Sequence, residues 1–186
     1  MDPRTVAHVL NQVGDLLELK GENRFKSRAY RMAARAVMAL ETDDLRALYR
    51  SGELAKVAGI GPATLSVIGE LVETGESSYF ERLREDTPEG LLEMLRIPGL
   101  GTAKIHQIHA GLGLEGVREL EQAARDGRLA SLKGFGPKTA ERILRGINYL
   151  KETGDLVLYP RAAAEALRLL AAVQAHPDVE RAAVAG

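Results

Sequence analysis

An all-α fold, built as helical bundles and followed by one short C-terminal β-strand, is what this 186-residue sequence predicts. Three observations carry that reading. Apolar residues recur at spacings of three and four, the period of a helix with one buried face. Three glycine hairpins of one pattern punctuate the chain: Val57-Ala58-Gly59-Ile60-Gly61-Pro62, Ile97-Pro98-Gly99-Leu100-Gly101-Thr102 and Leu132-Lys133-Gly134-Phe135-Gly136-Pro137. Their first glycines stand 40 and 35 residues apart, with helical patterns on both sides of each, a recurrence that unrelated turns do not produce.

The first helix is predicted from about Arg4 to Leu19, with Val6, Val9, Leu10, Val13, Leu16 and Leu17 on one stripe and Gly21 as its stop. The second runs from Glu22 to Leu40 on the stripe Phe25, Ala29, Met32, Ala33, Ala36, Val37 and Leu40, which assigns Phe25 to the core. A short helix starts at Asp43 and Asp44, where carboxylates suit the positive dipole end, and reaches Tyr49. Glu53 to Val57 leads into the first hairpin, and Pro62 opens a helix that ends at Thr74-Gly75. Residues 75–87 read as a hinge, with Tyr79, Phe80 and Leu83 able to pack. Thr87-Pro88-Glu89 reads as a helix start with a threonine cap, leading to the second hairpin. Helices follow over Ala103–Ala110, Val117–Arg125, Arg128–Leu132 and Pro137–Glu152, the third hairpin lying between the last two. Leu156 to Pro160 is an extended connector, Arg161 to Ala175 an amphipathic helix, and Val179 to Gly186 a strand. A lone strand needs partners, so the chain is expected to stop inside a domain.

Composition narrows the class without choosing a function. The formal net charge is −1, and hydrophobic residues make up 45% of the chain, ordinary for a globular protein. With no cysteine there is no disulfide, iron–sulfur cluster or thiolate zinc site, which suits a reducing cytoplasm. Charges interrupt every apolar run, so neither a membrane span nor a signal peptide is expected.

A Gly-hydrophobic-Gly tip between two helices is the sequence form of a helix-hairpin-helix. The first glycine permits a positive-φ turn, the hydrophobic residue pins the hairpin, and the second glycine lets a phosphate approach the backbone. First-turn N–H groups of the next helix, aided by its dipole, then point at that phosphate. Such a device holds a nucleic-acid backbone without reading bases. Charge supports it locally: Lys20, Arg24, Lys26, Arg28, Arg31 and Arg35 cluster on and just before the second helix, opposed nearby only by Glu18 and Glu22. The candidate DNA-binding residues are Gly59, Gly61, Gly99, Gly101, Lys104, Gly134, Gly136 and Lys138, with Arg24, Arg28, Arg31 and Arg35.

These residues resemble the N-terminal half of a family X DNA polymerase, in particular the bacterial branch, over essentially the whole chain. The resemblance implies a helical domain over 1–82 that holds the first hairpin on the 5′ side of a gap. It implies a thumb- or fingers-type subdomain over 83–154 with the second and third hairpins, and the start of the palm, helix and strand, over 155–186. The implied function is sequence-independent binding of gapped or nicked double-stranded DNA by a monomer in gap-filling repair. The palm aspartates that hold magnesium or manganese in this family would lie beyond Gly186, so this stretch is expected to bind DNA without polymerising. Lys26 matches a family lysine that binds the gap's 5′-phosphate. The position of the family's lyase nucleophile is occupied by Val67, and Ala63 replaces another lysine, leaving Lys20 and Lys56 as substitutes. The resemblance also implies a monovalent cation, sodium or potassium, on hairpin carbonyls: Ala55, Val57 and Ile60 in the first, Leu95, Ile97 and Leu100 in the second.

Two other readings stay open. A helix-hairpin-helix DNA glycosylase would use Lys138 as nucleophile with Asp155 as its carboxylate, and a non-enzymatic junction or repair adaptor would use the hairpins alone. His106 and His109 have a chelating spacing and no third ligand nearby, which makes them surface residues near the DNA. Asp126, Asp155 and Asp178 read as turn or cap residues, and Tyr30 and Phe25 as base-stacking candidates, with core packing the favoured reading for Phe25.

Overall fold

The computed structural model describes residues 1–42 and 44–153, and among these the fold is all helical. The expected connector, helix and strand over 155–186, with Asp155 and Asp178, lie outside the described residues. Among the described residues nine α-helices follow in order: α1 (Pro3–Leu19), α2 (Arg24–Met38), α3 (Leu45–Arg50), α4 (Pro62–Thr74), α5 (Ser78–Glu85), α6 (Glu89–Met94), α7 (Thr102–Leu112), α8 (Val117–Arg125) and α9 (Pro137–Thr153). Two single 3-10 turns, Glu53–Lys56 and Arg128–Ser131, lead into the first and third hairpins. The second hairpin is approached by α6 instead.

Local signals place most boundaries. Asp2 caps α1 by accepting the Arg4 and Thr5 N–H groups at 3.0 and 3.3 Å, with Pro3 at the first helical position. Asn23 accepts the Phe25 N–H at 2.9 Å, which starts α2 two residues later than the apolar pattern predicts. Asp44 does the same for α3 through Arg46 and Ala47.

Residues 1–83 pack around one apolar core. Val6, Leu10, Val13 and Leu17 of α1 meet Ala33, Ala34 and Val37 of α2, with Ile68 and Val72 of α4 beside them. Leu54, just before hairpin one, and Ile60, at its apex, join this core. Over 91–147 the buried side chains include Met94, Ile97, Leu100, Ile105, Ile108, Leu120, Leu129, Phe135, Ile143 and Ile147. Helix α1 also packs against α7, so the two sets of helices touch.

Three expectations change. The stretch read as a hinge is a helix: Ser77 caps α5 by accepting the Phe80 N–H, and Leu83 is buried against the first core. Its charged residues had masked a two-turn amphipathic pattern. The buried face of α2 is Ser27, Tyr30, Ala33, Ala34 and Val37, one position round from the expected stripe, which leaves Phe25 72% exposed and Met32 exposed. Gly14 of α1 comes close to that face, a methyl there standing 3.1 Å from the Ser27 carbonyl oxygen. Thr87 does not cap α6: its buried hydroxyl donates to the Leu83 carbonyl at 2.7 Å and closes α5.

Candidate nucleic-acid interface

All three hairpins fold to one tip. In each, a carbonyl accepts an N–H three residues on: Val57 from Ile60, Ile97 from Leu100 and Leu132 from Phe135, each at 3.1 Å. The glycine before that donor has positive φ, +95° at Gly59, +80° at Gly99 and +86° at Gly134. This is the type II turn signature, in which only glycine avoids strain at the third position. Ile60, Leu100 and Phe135 are buried, so each apex is anchored in its core. The second glycines are exposed, and a methyl group placed on Gly61, Gly101 or Gly136 would meet nothing within 4 Å. Gly61 and Gly101 are extended N-caps of α4 and α7, where the first N–H groups of a helix lack acceptors in a preceding turn. The geometry offers aligned N–H dipoles beside open backbone, the arrangement that receives an anionic oxygen.

The surroundings of hairpin one differ from those of the other two. Gly59 lies against α2, where an added methyl would stand 3.6 Å from the Met32 carbonyl oxygen. Helix α4 walls a cavity of about 420 Å3 lined by Lys26, Tyr30, Ala63, Ser66, Val67, Glu70, Tyr79 and Arg82. Tyr30 and Tyr79 stack with ring centroids 6.0 Å apart, and burial pushes the Tyr30 phenol up to about 12, so it stays neutral. Lys26 pairs with Glu22 at 3.1 Å, which raises its ammonium above the usual value. Glu70 is turned to Ser78, whose N–H donates at 2.7 Å and holds this carboxyl below its usual range. Tyr79 and Arg82 belong to α5, and sequence reasoning missed them because that segment reads as a hinge.

The basic residues of α2 separate into two sets. Arg24, Arg28 and Arg35 are exposed, and among the described residues they form no ion pair. Arg31 is held by Asp15 at 2.9 Å and by Glu18, with its side chain only partly exposed. Asp15 was not among the opposing charges read from sequence, because it lies a full turn and more before α2. Lys20 pairs with Asp86 at 3.1 Å and Lys56 with Glu53 at 2.7 Å. Lys104, Lys133 and Lys138 flank hairpins two and three; Lys138 is exposed and Lys104 half-buried.

Glu18 joins the two sets of helices. Its carboxylate accepts from the Thr102 hydroxyl at 2.6 Å as well as from Arg31. The Thr102 hydroxyl, then Arg31, hold this carboxyl below its usual range. Beside it the His106 ring bonds the Leu19 carbonyl at 3.1 Å, and a methyl on Gly21 would lie 2.3 Å from His106 Cε1. His109 turns to the Leu114 carbonyl instead. Both histidines are half-buried and turned to backbone carbonyls, and among the described residues no group of three His, Asp or Glu could hold a metal ion. Asp126 acts as read, accepting the Arg128 N–H at 3.1 Å.

Val57 and Ile97, two of the carbonyls considered for a monovalent cation, each accept one turn N–H and keep a second lone pair. Val67 is buried, and Lys26 is the one lysine among the residues that line the cavity.

Comparison with known proteins places these features in a lineage. Residues 1–77 match the helix-hairpin-helix domain, and residues 91–148 match the SAM-like helix-hairpin-helix tandem. The chain is 38% identical over 147 residues, 79% of its length, to the DNA polymerase/3'-5' exonuclease PolX of Bacillus subtilis (strain 168). It spans about a quarter of that relative, which is matched over 25% of its length.

Proposed function

We propose a function from the premise that this chain carries the N-terminal helix-hairpin-helix portion of a family X DNA polymerase: it grips double-stranded DNA by the phosphate backbone, at gaps, in the service of gap-filling repair. The observation that carries this reading is the triple recurrence of one tip, with a positive-φ glycine, a buried apex and an open second glycine. Each tip offers backbone N–H dipoles to a phosphate, a contact that carries no base information, so the binding is sequence-independent.

Within that reading, the cavity beside hairpin one takes the 5′-phosphate of the gap. Lys26 and Arg82 bring two cations to its lining, and a terminal monoester carries more charge than an internal diester. Ser66 and the neutral Tyr30 phenol supply further hydroxyl donors. The hairpin carbonyls of Val57 and Ile97, with Ala55, Ile60, Leu95 and Leu100, suit a sodium or potassium ion, whose charge would add to the grip. Schiff-base chemistry needs an amine at the reacting carbon. The side chains at the family's two lysine positions are Val67 and Ala63, so we assign the cavity to binding and not to lyase chemistry.

Salt titration of binding to a gapped duplex tests the core of this reading. About five to eight phosphate contacts give a log–log slope near −5 to −7. Equal affinity for unrelated sequences is expected, and strong preference for one of them would sink the reading. Borohydride trapping on an incised abasic site is expected to give at most a weak adduct. A strong adduct lost in Lys20→Ala or Lys56→Ala would overturn the binding-only assignment.

A further inference from the structure

Residues 91–147 hold a two-fold relation that the glycine pattern alone does not reveal. Gly111 of α7 and Gly146 of α9 stand thirty-five residues apart, the same interval as Gly99 and Gly134. A methyl group on Gly111 would lie 2.5 Å from Cδ2 of Leu132, which opens hairpin three. A methyl group on Gly146 would lie 2.7 Å from Cγ2 of Ile97, which opens hairpin two. Leu132 and Ile97 are again thirty-five apart. Each motif therefore seats the first residue of its hairpin in a glycine notch on the other motif's helix, the reciprocal exchange that a local dyad produces.

The same exchange involves Gln107 and Arg142, also thirty-five residues apart, and here the two halves differ in charge. Gln107 Nε2 donates to the Lys133 carbonyl at hairpin three, at 2.9 Å. Arg142 reaches across to hairpin two, where a methyl on Gly99 would meet its Cδ at 3.5 Å and its Nε at 3.6 Å. At the matching Gly134 an added methyl would meet nothing within 4 Å. Arg142 is exposed, and among the described residues no carboxylate pairs with it. Hairpin three thus has its backbone braced by a neutral amide, while hairpin two has a guanidinium laid over its turn.

We infer that Arg142, carried by the helix of the third motif, is a phosphate ligand of hairpin two, so that the two hairpins hold a DNA backbone as one surface. The inference rests on the DNA-binding reading above and adds a residue that neither motif alone would assign. Hairpin N–H groups offer only partial charges, and a guanidinium beside them adds a full charge with directed donors. Gln107, the dyad equivalent, cannot do this for hairpin three.

The test uses the full chain with a fluorescent duplex and compares Arg142→Ala in three backgrounds. Gly101 is extended with open space at its Cβ position, so Gly101→Val blocks hairpin two while leaving the fold intact; Gly136→Val does the same at hairpin three. Arg142→Ala is expected to weaken binding on the order of fivefold and to reduce the log–log salt slope by about one. That loss should persist in the Gly136→Val background and vanish in Gly101→Val, since Arg142 would then have no phosphate to hold. Wild-type affinity and slope in Arg142→Ala, or a loss that vanishes in Gly136→Val instead, would overturn the assignment while leaving DNA binding in place. A chain with no salt-dependent DNA binding at all would overturn the functional reading and this assignment together.

Discussion

Hairpin one and the pair formed by hairpins two and three share a tip and differ in what stands behind it. Behind hairpin one is α2, and the helix that follows it walls a hollow lined by Lys26, Arg82 and two stacked tyrosines. Behind hairpins two and three stand each other's helices, joined through Gly111 and Gly146. On the proposed function the tip sets the class of ligand, an anionic oxygen, and the packing partner sets which one: a cationic hollow would favour a terminal phosphate with extra charge, and two tips packed together would favour internal diesters.

The largest effect should come from breaking the glycine notches that join hairpins two and three. Gly146→Val drives a side chain into Ile97 and toward the Pro98 carbonyl, 3.1 Å from an added methyl, and should cost about 3 kcal/mol in thermal unfolding. Gly111→Val meets only the tip of the Leu132 side chain, which can turn aside, and should cost about 1 kcal/mol. Equal costs would mean that the two notches are not as different in compliance as their neighbours imply. Next in size is the discrimination at hairpin one. Lys26→Ala or Arg82→Ala should remove about tenfold of the preference for a 5′-phosphorylated gap, about 1.4 kcal/mol, with little change on intact duplex. Lys138→Ala should weaken both substrates alike, reducing the salt slope by about one. If Lys26→Ala keeps the full phosphate preference, the cavity is not the end-binding site.

The smallest effect concerns the joint between the two regions. Glu18 is held below the usual carboxylate range in the folded protein, so its contribution is present above the unfolded value near 4.3 and is lost as pH falls through the folded one. Glu18→Gln should therefore flatten the acid limb of a stability–pH curve below about pH 4.5 and cost about 1 kcal/mol at neutral pH. An unchanged acid limb would remove Glu18 from that role.

Elements with strong punctuation were legible from the amino-acid order. Gly61-Pro62 and Gly136-Pro137 mark helix starts through the fixed φ of proline, which acts over two or three residues regardless of the rest of the fold. Helix α5 was not legible, because its charged exterior outweighs Leu83, and its burial depends on α1 and α4 being in place. With α5 unseen, Arg82 and Tyr79 could not be assigned to the cavity. The face of α2 was misplaced for a related reason: Phe25 and Met32 are apolar enough to suggest a core, but the residues buried once α2 has packed are Ser27, Tyr30, Ala33, Ala34 and Val37.

What the chain determined by itself is the tip: a glycine that alone tolerates positive φ, an apolar apex, and a glycine or proline where the next helix begins. Those are local steric facts, and they repeat wherever the pattern does. What only the tertiary structure decided is pairing across distance. That Glu18 meets Thr102, that Arg31 is spent on Asp15 and Glu18 while Arg28 stays free of ion pairs among the described residues, and that Arg142 covers Gly99 instead of its own hairpin all depend on helix placement. A charge in sequence has no partner until packing supplies one, because electrostatic reach is a few ångströms in space and says nothing about separation along the chain.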